Sequence, residues 1–251
     1  MTSKKLQTRQ CNSESDIRQF FEETAPEYRE AHGDSGRLLQ YRMEQLHKLG
    51  HLNTQDVVLD VGCGNGHHLY YIAPVIKYGI GVDFSRNMIE SAQKARNESP
   101  HADKLQFQVD YAQELKTIED SCVDLVMCIG AFEHMLEKTK VVRQFYRVLK
   151  PGGRIILMTP NGKYIWYRLI APLFGYSTRH LSTDLFLPAS ELKALFTESG
   201  FNRIQTEYWS FIPRGDMSKY WGSFLGRLDL IGKLIGLHFL QGGIILRADK
   251  I

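Results

Sequence analysis

The chain has 251 residues, of which 43% are hydrophobic and 24% are charged. These values are ordinary for a globular protein with one sizeable core. The formal net charge of +3 is mild and the basic residues form no concentrated stripe, so we expect no nucleic-acid partner. Because no apolar stretch follows the charged first residues, we expect no secretory leader.

Helices and strands are predicted to alternate along most of the chain. Two helices come first, over about 15–30 with a break at Pro26, and over 37–49 with Gly50 as the C-terminal cap. Further helices are predicted at 66–75, 86–97, 137–149 and 189–199. Strands are predicted at 56–61, 78–83, 104–109, 123–129, 154–159, about 203–210, and 243–247. Such alternation indicates a parallel sheet that helices cover on both faces.

Residues 57–66 carry the strongest signal for function. An apolar strand ends at Asp60, and Gly62, Gly64 and Gly66 follow at alternate positions. Glycine allows positive φ angles and lets a ligand approach bare backbone, so this layout predicts a nucleotide-like ligand over a strand-to-helix turn. A tight turn without a ligand would use the same glycines, so the turn alone leaves both interpretations open.

Three further features narrow the choice of ligand. Asp83 ends the second strand, where a carboxylate can accept hydrogen bonds from both hydroxyls of a ribose. Asp60 lies just before the glycines, where a nicotinamide-dinucleotide fingerprint would not require an acid. Residues 148–158 are typical of a helix end, a Pro-Gly-Gly turn and another buried strand.

Segments 59–66, 81–85, 110–112, 132–135 and 149–153 together resemble the class I S-adenosylmethionine (SAM)-dependent methyltransferases. The resemblance is strongest to the group of ubiquinone and menaquinone biosynthesis enzymes and small-molecule methyltransferases, and it covers roughly residues 55–160. It implies a Rossmann-like, doubly wound α/β sheet of seven strands, with the last two strands antiparallel at one edge and with helical caps. It also implies an N-terminal helical cap (1–54) and a SAM-binding domain (55–251) with cap insertions at about 161–187 and 211–240.

The resemblance implies SAM as cofactor and assigns residues to its parts. Asp83 would accept from the ribose hydroxyls, and Phe84 would pack along the adenine. Asp60 would hold the ammonium group, directly or through water, unless it accepts N–H groups of the turn instead. Asp110 would accept from the adenine amino group, cap a helix, or do both. The other residues expected at the cofactor are Tyr28, Gly62, Cys63, Gly64, Tyr111, Ala112 and Cys128. The turn amides and the following helix N-terminus are expected to face the ligand's carboxylate.

Methyl transfer depends mainly on holding the acceptor in line behind the methyl group, which can supply ~7–11 kcal/mol of the barrier. If the acceptor is a hydroxyl, a general base is useful, and histidine titrates in the right range. His134 follows the fourth strand and His180 lies in the 161–187 insertion, so both are candidates. A structural role is the alternative for each. We expect O-methylation of a small hydrophobic or aromatic metabolite.

Other functions stay open or are excluded by particular segments. A protein or RNA acceptor, a SAM-binding protein without turnover, and a nicotinamide-dependent oxidoreductase are the alternatives. Residues 128–132 lack the Asn/Asp-Pro-Pro-Tyr/Phe box that serves DNA adenine and glutamine methylation, and no Gly-Lys-Ser/Thr loop of a P-loop nucleotidase exists. The four cysteines form no Cys-x-x-Cys pair and no metal-ligand spacing. We therefore expect no metal site and a reducing cytoplasm.

The apolar stretch 218–240 is interrupted by Arg227, Asp229 and Lys233. Its unbroken apolar runs are far shorter than the ~20 residues needed to span a bilayer. We expect an amphipathic helix that covers the substrate pocket. Contact with a membrane surface or with a lipid-like substrate is the alternative.

Overall fold

A computed structural model describes residues 8–25, 35–175, 177–209 and 219–251. The helices are α1 (Glu14–Thr24), α2 (Ser35–Gly50), α3 (His67–Ile72), α4 (Arg86–Asn97), α5 (Lys138–Val148), α6 (Ala171–Leu173, continuing a π-helical turn over Trp166–Ile170), α7 (Ala189–Glu198) and α8 (Lys219–Ile235). The strands are β1 (Val57–Val61), β2 (Tyr78–Asp83), β3 (Leu105–Val109), β4 (Val123–Ile129), β5 (Leu149–Pro160), β6 (Asn202–Tyr208) and β7 (Gly243–Asp249).

The strands form one seven-stranded sheet in the order β3-β2-β1-β4-β5-β7-β6. The pairs among β1 to β5 are parallel, whereas β7 runs antiparallel to both β5 and β6. The predicted fold is confirmed, including the antiparallel pairings that the last two strands make at one edge. The parallel register places Asp60 beside Gly81 and Asp83 beside Val109, so acidic residues gather at the carboxyl edge of the sheet.

Helices cover both faces of the sheet and give two apolar core layers. Neighbouring residues of β1 point to opposite faces, so Leu59 joins one layer and Val58 the other. The first layer includes Phe145 of α5, and the second includes Leu46 of α2. Full burial of such a side chain contributes roughly 1.5–3 kcal/mol, so these two layers hold the helices against the sheet.

The end of α2 differs from the prediction. The left-handed residue is His51, with φ 47°, and not Gly50. A Cβ at Gly50 would lie 3.4 Å from Leu46 Cδ1 and 3.8 Å from Ile156 Cγ1, which are ordinary contacts, so the helix end packs against β5 without requiring a glycine here. Two guanidinium groups satisfy carbonyls at the end of the helix. Arg247 Nη1 donates to the Leu49 carbonyl at 2.7 Å, and Arg154 donates to the Gly50 carbonyl.

The predicted Pro-Gly-Gly turn is a bulge within β5, which begins at Leu149 rather than at 154. The pairing with β4 shifts from Val123↔Leu149 to Leu125↔Arg154, so extra residues of β5 stand opposite a short piece of β4. Gly152 takes φ 79° there, and its N–H donates to the carbonyl of Lys250 at 2.7 Å.

The remaining predictions concern one loop, two residues outside the described ranges and the membrane. Residues 112–118, between β3 and β4, form turns. Tyr28 and Pro26 lie outside the described residues. Among the described residues, no helix is both long enough and apolar enough to cross a membrane.

Candidate active site

A cleft opens where β1, β2, β3 and β4 end. Its floor and walls come from the segments that follow these strands, and one face of α1 closes it from above. The lining residues are Glu14, Ile17, Phe21, Val61, Gly62, Gly64, Val82, Asp83, Phe84, Met88, Asp110, Tyr111, Ala112, Gln113, Gly130, Ala131, His134, Met135, Leu136 and Glu137. The carboxyl edge of a parallel sheet is where open α/β folds bind their ligands.

The glycine turn after β1 forms the floor of the cleft. Gly62, Gly64 and Gly66 take φ angles of 75°, 53° and 82°, which L side chains rarely adopt. A Cβ at Gly62 would lie only 2.5 Å from Ala131 Cβ, so this glycine is needed for its packing as well as for its conformation.

Three amides of the turn donate to acceptors of β2, and the expectation that turn amides and the following helix N-terminus face the ligand's carboxylate stays a prediction. The N–H groups of Gly62 and Cys63 donate to the Val82 carbonyl at 2.9 and 3.0 Å. The N–H of Gly64 donates to Asp83 Oδ2 at 2.9 Å. These bonds hold the turn against the end of β2, because both acceptors, Val82 and Asp83, belong to that strand.

Asp83 lies on the cleft wall and is only 8% exposed. Its Oδ1 accepts from the N–H of Ser85 and its Oδ2 from the N–H of Gly64, both at 2.9 Å. Burial raises the pKa of Asp83 to about 6, although these two hydrogen bonds act in the opposite direction. Each carboxylate oxygen can accept a second hydrogen bond, so the group remains able to bind hydroxyls in the cleft.

Asp60 is fully buried beneath the cleft, one residue before Val61 of the lining. Neither carboxylate oxygen accepts a hydrogen bond from the described residues. The one ion pair that the structure gives it is with His68, whose Nδ1 lies 3.8 Å from Oδ2. Asp60 therefore does not pin the turn through backbone N–H groups. A buried carboxylate without hydrogen bonds destabilises the fold, and a cationic group of a ligand could pair with it.

Asp110 holds a loop and caps no helix. Its Oδ1 accepts from the N–H of Tyr111 at 2.7 Å, and its Oδ2 accepts from the N–H of Thr117 at 2.7 Å and from the Thr117 hydroxyl. These bonds close the loop over 110–117 and present Tyr111 and Ala112 to the cleft. The ring of Phe84 lies 6.4 Å from that of Tyr111, so the two aromatic rings border the same part of the cleft.

The structure does not bring every predicted residue to the cleft. Cys63 and Cys128 are buried in the core layers, and their side chains do not line the cleft. Burial raises the pKa of both thiols well above the usual range. Each side chain packs in the core, so a contact of either residue with the cofactor would have to come from its backbone, and the prediction that these residues lie at the cofactor stays a prediction. The prediction for Tyr28 falls outside the described residues.

Helix α1 closes the cleft through contacts that the sequence analysis missed. Gln113 Nε2 donates to Glu14 Oε1 at 2.7 Å, and Arg18 donates to the Tyr111 hydroxyl at 2.8 Å. Glu22 of α1 accepts from the first backbone N–H groups of α4, both at 2.8 Å. Residues 14, 17 and 21 recur at helical spacing, and this was the available signal for a face turned toward the cleft.

His134 lies on the cleft wall and is paired with a buried acid. Its Nδ1 lies 2.6 Å from Asp184 Oδ1, and Asp184 is 2% exposed. Asp184 Oδ2 accepts from the N–H groups of His180 and Leu181 at 3.0 Å. Burial acts to lower the pKa of His134, but the hydrogen bond with Asp184 and the charges of Glu133 and Asp184 raise it overall. No sequence motif indicated Asp184.

His180 does not line the cleft. Its ring lies 6.3 Å from that of His134, and its carbonyl accepts from the N–H of Arg9 at 2.9 Å. The described part of 218–240 does not line this cleft either, and the expectation that this segment covers the substrate pocket stays a prediction. The buried side of α8 packs on Tyr164 and Trp166, neither of which lines the cleft.

The electrostatics of the cleft favour a cation. Its described lining residues include the carboxylates of Glu14, Asp83, Asp110 and Glu137 and contain neither lysine nor arginine. Clefts with one sign of charge attract ligands of the opposite sign. In the described ranges, no three His, Cys, Asp or Glu side chains come together as a metal-binding group.

A family model described as a methyltransferase domain matches residues 52–204. The chain belongs to this methyltransferase family. A demethylmenaquinone methyltransferase from Lactiplantibacillus plantarum is 26% identical to it over 78% of this chain and 91% of the relative. This protein is therefore an enzyme, a SAM-dependent methyltransferase of the small-molecule type, and SAM is its cofactor.

Two solved structures illustrate how widely this fold is used. The [4+2]-cyclase SpnF is similar over 97% of this chain and 99% of its own, with a TM-score of 0.70 and 18% identity. Phosphoethanolamine N-methyltransferase 2 of Haemonchus contortus, in complex with S-adenosyl-L-methionine, is similar over 82% of this chain and 51% of its own, with a TM-score of 0.57 and 18% identity. At such identities the likeness shows the fold alone.

Gly62→Ala should lower the free energy of unfolding by about 2–4 kcal/mol, because it adds backbone strain and a clash with Ala131. Gly152→Ala is the matched control, since its φ of 79° is similar but nothing lies within 4 Å of an added Cβ. It should cost only about 1 kcal/mol. Urea denaturation measures both, and equal losses would show that the close approach at Gly62 is unimportant.

Asp60→Asn should weaken SAM binding about tenfold if Asp60 acts on the ligand's ammonium group, because it removes a carboxylate beneath the cleft. In the ligand-free protein it should raise the free energy of unfolding by about 1 kcal/mol, because it removes a buried charge without hydrogen bonds. Asp56→Asn is the control at the other end of β1, where Arg154 lies 2.6 Å from the carboxylate. It should destabilise the fold and leave the affinity unchanged. A stability loss with unchanged affinity in Asp60→Asn would contradict this role.

Binding of S-adenosylhomocysteine should weaken as the pH falls below about 6. Asp83 has its pKa raised to about 6, so it is ionised above that pH and loses its charge below it. A charged acceptor holds hydroxyls more strongly than a neutral one. Calorimetric titrations between about pH 5 and 8 would measure the effect, and Asp83→Asn should bind weakly with a flat profile. The same pH dependence in that variant would assign it to another group.

Proposed function

We propose that this methyltransferase acts on a hydroxyl group of a small hydrophobic or aromatic metabolite, with His134 as the general base. The observation that carries the proposal is the pairing of His134 with buried Asp184 at 2.6 Å on the wall of the cofactor cleft. A base held by a buried carboxylate is a recurring arrangement for removing a proton from a hydroxyl group.

Asp184 would act on His134 in two ways. Its Oδ1 fixes the ring and keeps the proton on Nδ1, which leaves Nε2 free to accept the proton of the acceptor. Its charge also raises the pKa of His134, which makes the ring a stronger base in its neutral form. At lower pH a larger share of His134 is already protonated and cannot take another proton.

The remaining residues would bind and orient the reactants. SAM supplies an electrophilic methyl group on a positively charged sulfur. Asp83 would hold the ribose hydroxyls, and Asp60 would act on the ammonium group of the amino-acid end. Ile17 and Phe21 of α1 line the cleft from above and would exclude water from it.

Apolar side chains next to His134 support a hydrophobic or aromatic acceptor. The ring of Phe21 lies 5.2 Å from that of His134, and Met135 and Leu136 line the cleft immediately after it. Similarity to a demethylmenaquinone methyltransferase also favours a small-molecule acceptor. The closure by α1, and the lack of lysine and arginine among the described lining residues, speak against an RNA acceptor.

We also propose that the enzyme works in a reducing compartment such as the cytoplasm. Cys11, Cys63, Cys122 and Cys128 are free thiols, and all but Cys122 are buried. Structural disulfides are typical of oxidising compartments, so free cysteines fit a reducing one.

His134→Ala should lower kcat by about 10²–10⁴-fold and leave SAM affinity nearly unchanged, because it removes the base but no cofactor contact. Release of S-adenosylhomocysteine, measured with a panel of phenols and hydroxylated quinones, would report turnover. Control His180→Ala should retain most of the rate. Full activity of His134→Ala would reject the proposed base.

The rate of the wild-type enzyme should rise with pH as neutral His134 is formed. Because Asp184 raises the pKa of His134, Asp184→Asn should move this rise to lower pH and reduce the maximum rate. Rate measurements between about pH 5 and 9 would show the shift. An unchanged midpoint in Asp184→Asn would indicate that the pair has only a structural role.

A further inference from the structure

The outward face of α8 is apolar. Its inward residues, including Leu225 and Asp229, are buried against the body of the protein. On the opposite side, Tyr220 is 90% exposed, Ile231 46% and Leu234 74%. Residues at these spacings share one side of a helix. A surface helix normally carries polar residues on its outward side, so an apolar outward side indicates a partner.

The segment around α6 extends this surface. Leu169, Leu173 and Phe174 are 51%, 73% and 57% exposed. The segment lies beside α8 because Trp166 and Ala171 pack in one cluster with Leu225. We call the exposed residues of 163–175 and 220–239 together the α6–α8 face.

The exposed charges of the α6–α8 face have one sign. Lys163, Arg168, Arg227 and Lys233 are exposed and basic. The single acidic residue in these two segments is Asp229, which is 5% exposed and lies on the inward side of α8. The partner of this face is therefore expected to offer both an apolar layer and negative charge.

We propose that the α6–α8 face docks on the surface of a membrane that contains anionic lipid. Apolar side chains would enter the boundary between headgroups and acyl chains, and the basic side chains would meet lipid phosphates. A second copy of this chain fits less well, because a two-fold interface would bring the same basic residues together without exposed acids to pair with them. This proposal does not depend on the identity of the methyl acceptor.

The face is joined firmly to the catalytic part of the fold. The side chain of Asn161, just after β5, donates to the carbonyls of His238 and Gln241, both at 2.9 Å. The insertion that carries Phe174 continues directly to Asp184, the partner of His134. A membrane contact would therefore be made by the same insertion that orients the proposed base.

Vesicle flotation with the full chain tests the proposal. Vesicles of phosphatidylcholine alone would be compared with vesicles that also contain phosphatidylglycerol. The wild-type protein should float with the anionic vesicles, and added salt should reduce binding. Ile231→Glu/Leu234→Glu should reduce binding about tenfold or more, because it places charges where apolar groups insert. Tyr71→Glu, at a 46% exposed position on α3, is the matched control and should bind like the wild type.

A second variant tests the charge separately from the apolar contact. Arg227→Glu/Lys233→Glu leaves every apolar residue of the face in place and should weaken binding to anionic vesicles about fivefold or more. Thermal unfolding would confirm that both variants fold. Absent flotation, binding that the variants do not change, or a dimer that Ile231→Glu/Leu234→Glu converts to a monomer without any vesicle binding would each overturn the proposal.

Discussion

Asp60 lies one residue before the end of β1 and Asp83 ends the neighbouring parallel strand β2, and the fold buries both carboxylates beside the same turn. The buried carboxylate of Asp83 accepts hydrogen bonds from the N–H groups of Gly64 and Ser85 at 2.9 Å. The bond from Gly64 comes from a turn whose glycines take positive φ angles. Asp60 accepts no hydrogen bond from the described residues. The fold thus buries a carboxylate whose oxygens have no hydrogen-bond donor among the described residues, and a cationic group bound beside it would couple cofactor binding to stability.

The rest of the site is assembled around this edge by segments far apart in sequence. Helix α1 spans the cleft from Gln113 to the start of α4, and the insertion after β5 brings Asp184 to His134. The N-terminal segment also joins that insertion, since the N–H of Arg9 donates to the His180 carbonyl and the N–H of Ser182 donates to the Arg9 carbonyl, both at 2.9 Å. The cap elements therefore form one connected unit, in which the proposed base and the proposed membrane contact share a single insertion.

The sheet, the glycine turn and the strand-end position of Asp83 could be predicted because each follows from local patterns, namely apolar runs and glycines at fixed spacing. Asp184 could not, because its role depends on a contact 50 residues away in the sequence. The direction of a side chain is equally hidden in a sequence, and the side chain of Cys63 packs in the core and does not line the cleft. The way α2 ends could not be predicted either, because its last carbonyls accept hydrogen bonds from two arginines of strands distant in sequence.

The central claim is that the strand-end carboxylates form a site for SAM. Calorimetric titration of the purified protein with SAM, beside a nicotinamide dinucleotide and beside Asp83→Ala, tests it most directly. The account predicts saturable binding of SAM, no binding of the dinucleotide, and loss of SAM binding in Asp83→Ala. Unchanged SAM affinity in Asp83→Ala, or binding of the dinucleotide instead of SAM, would contradict it.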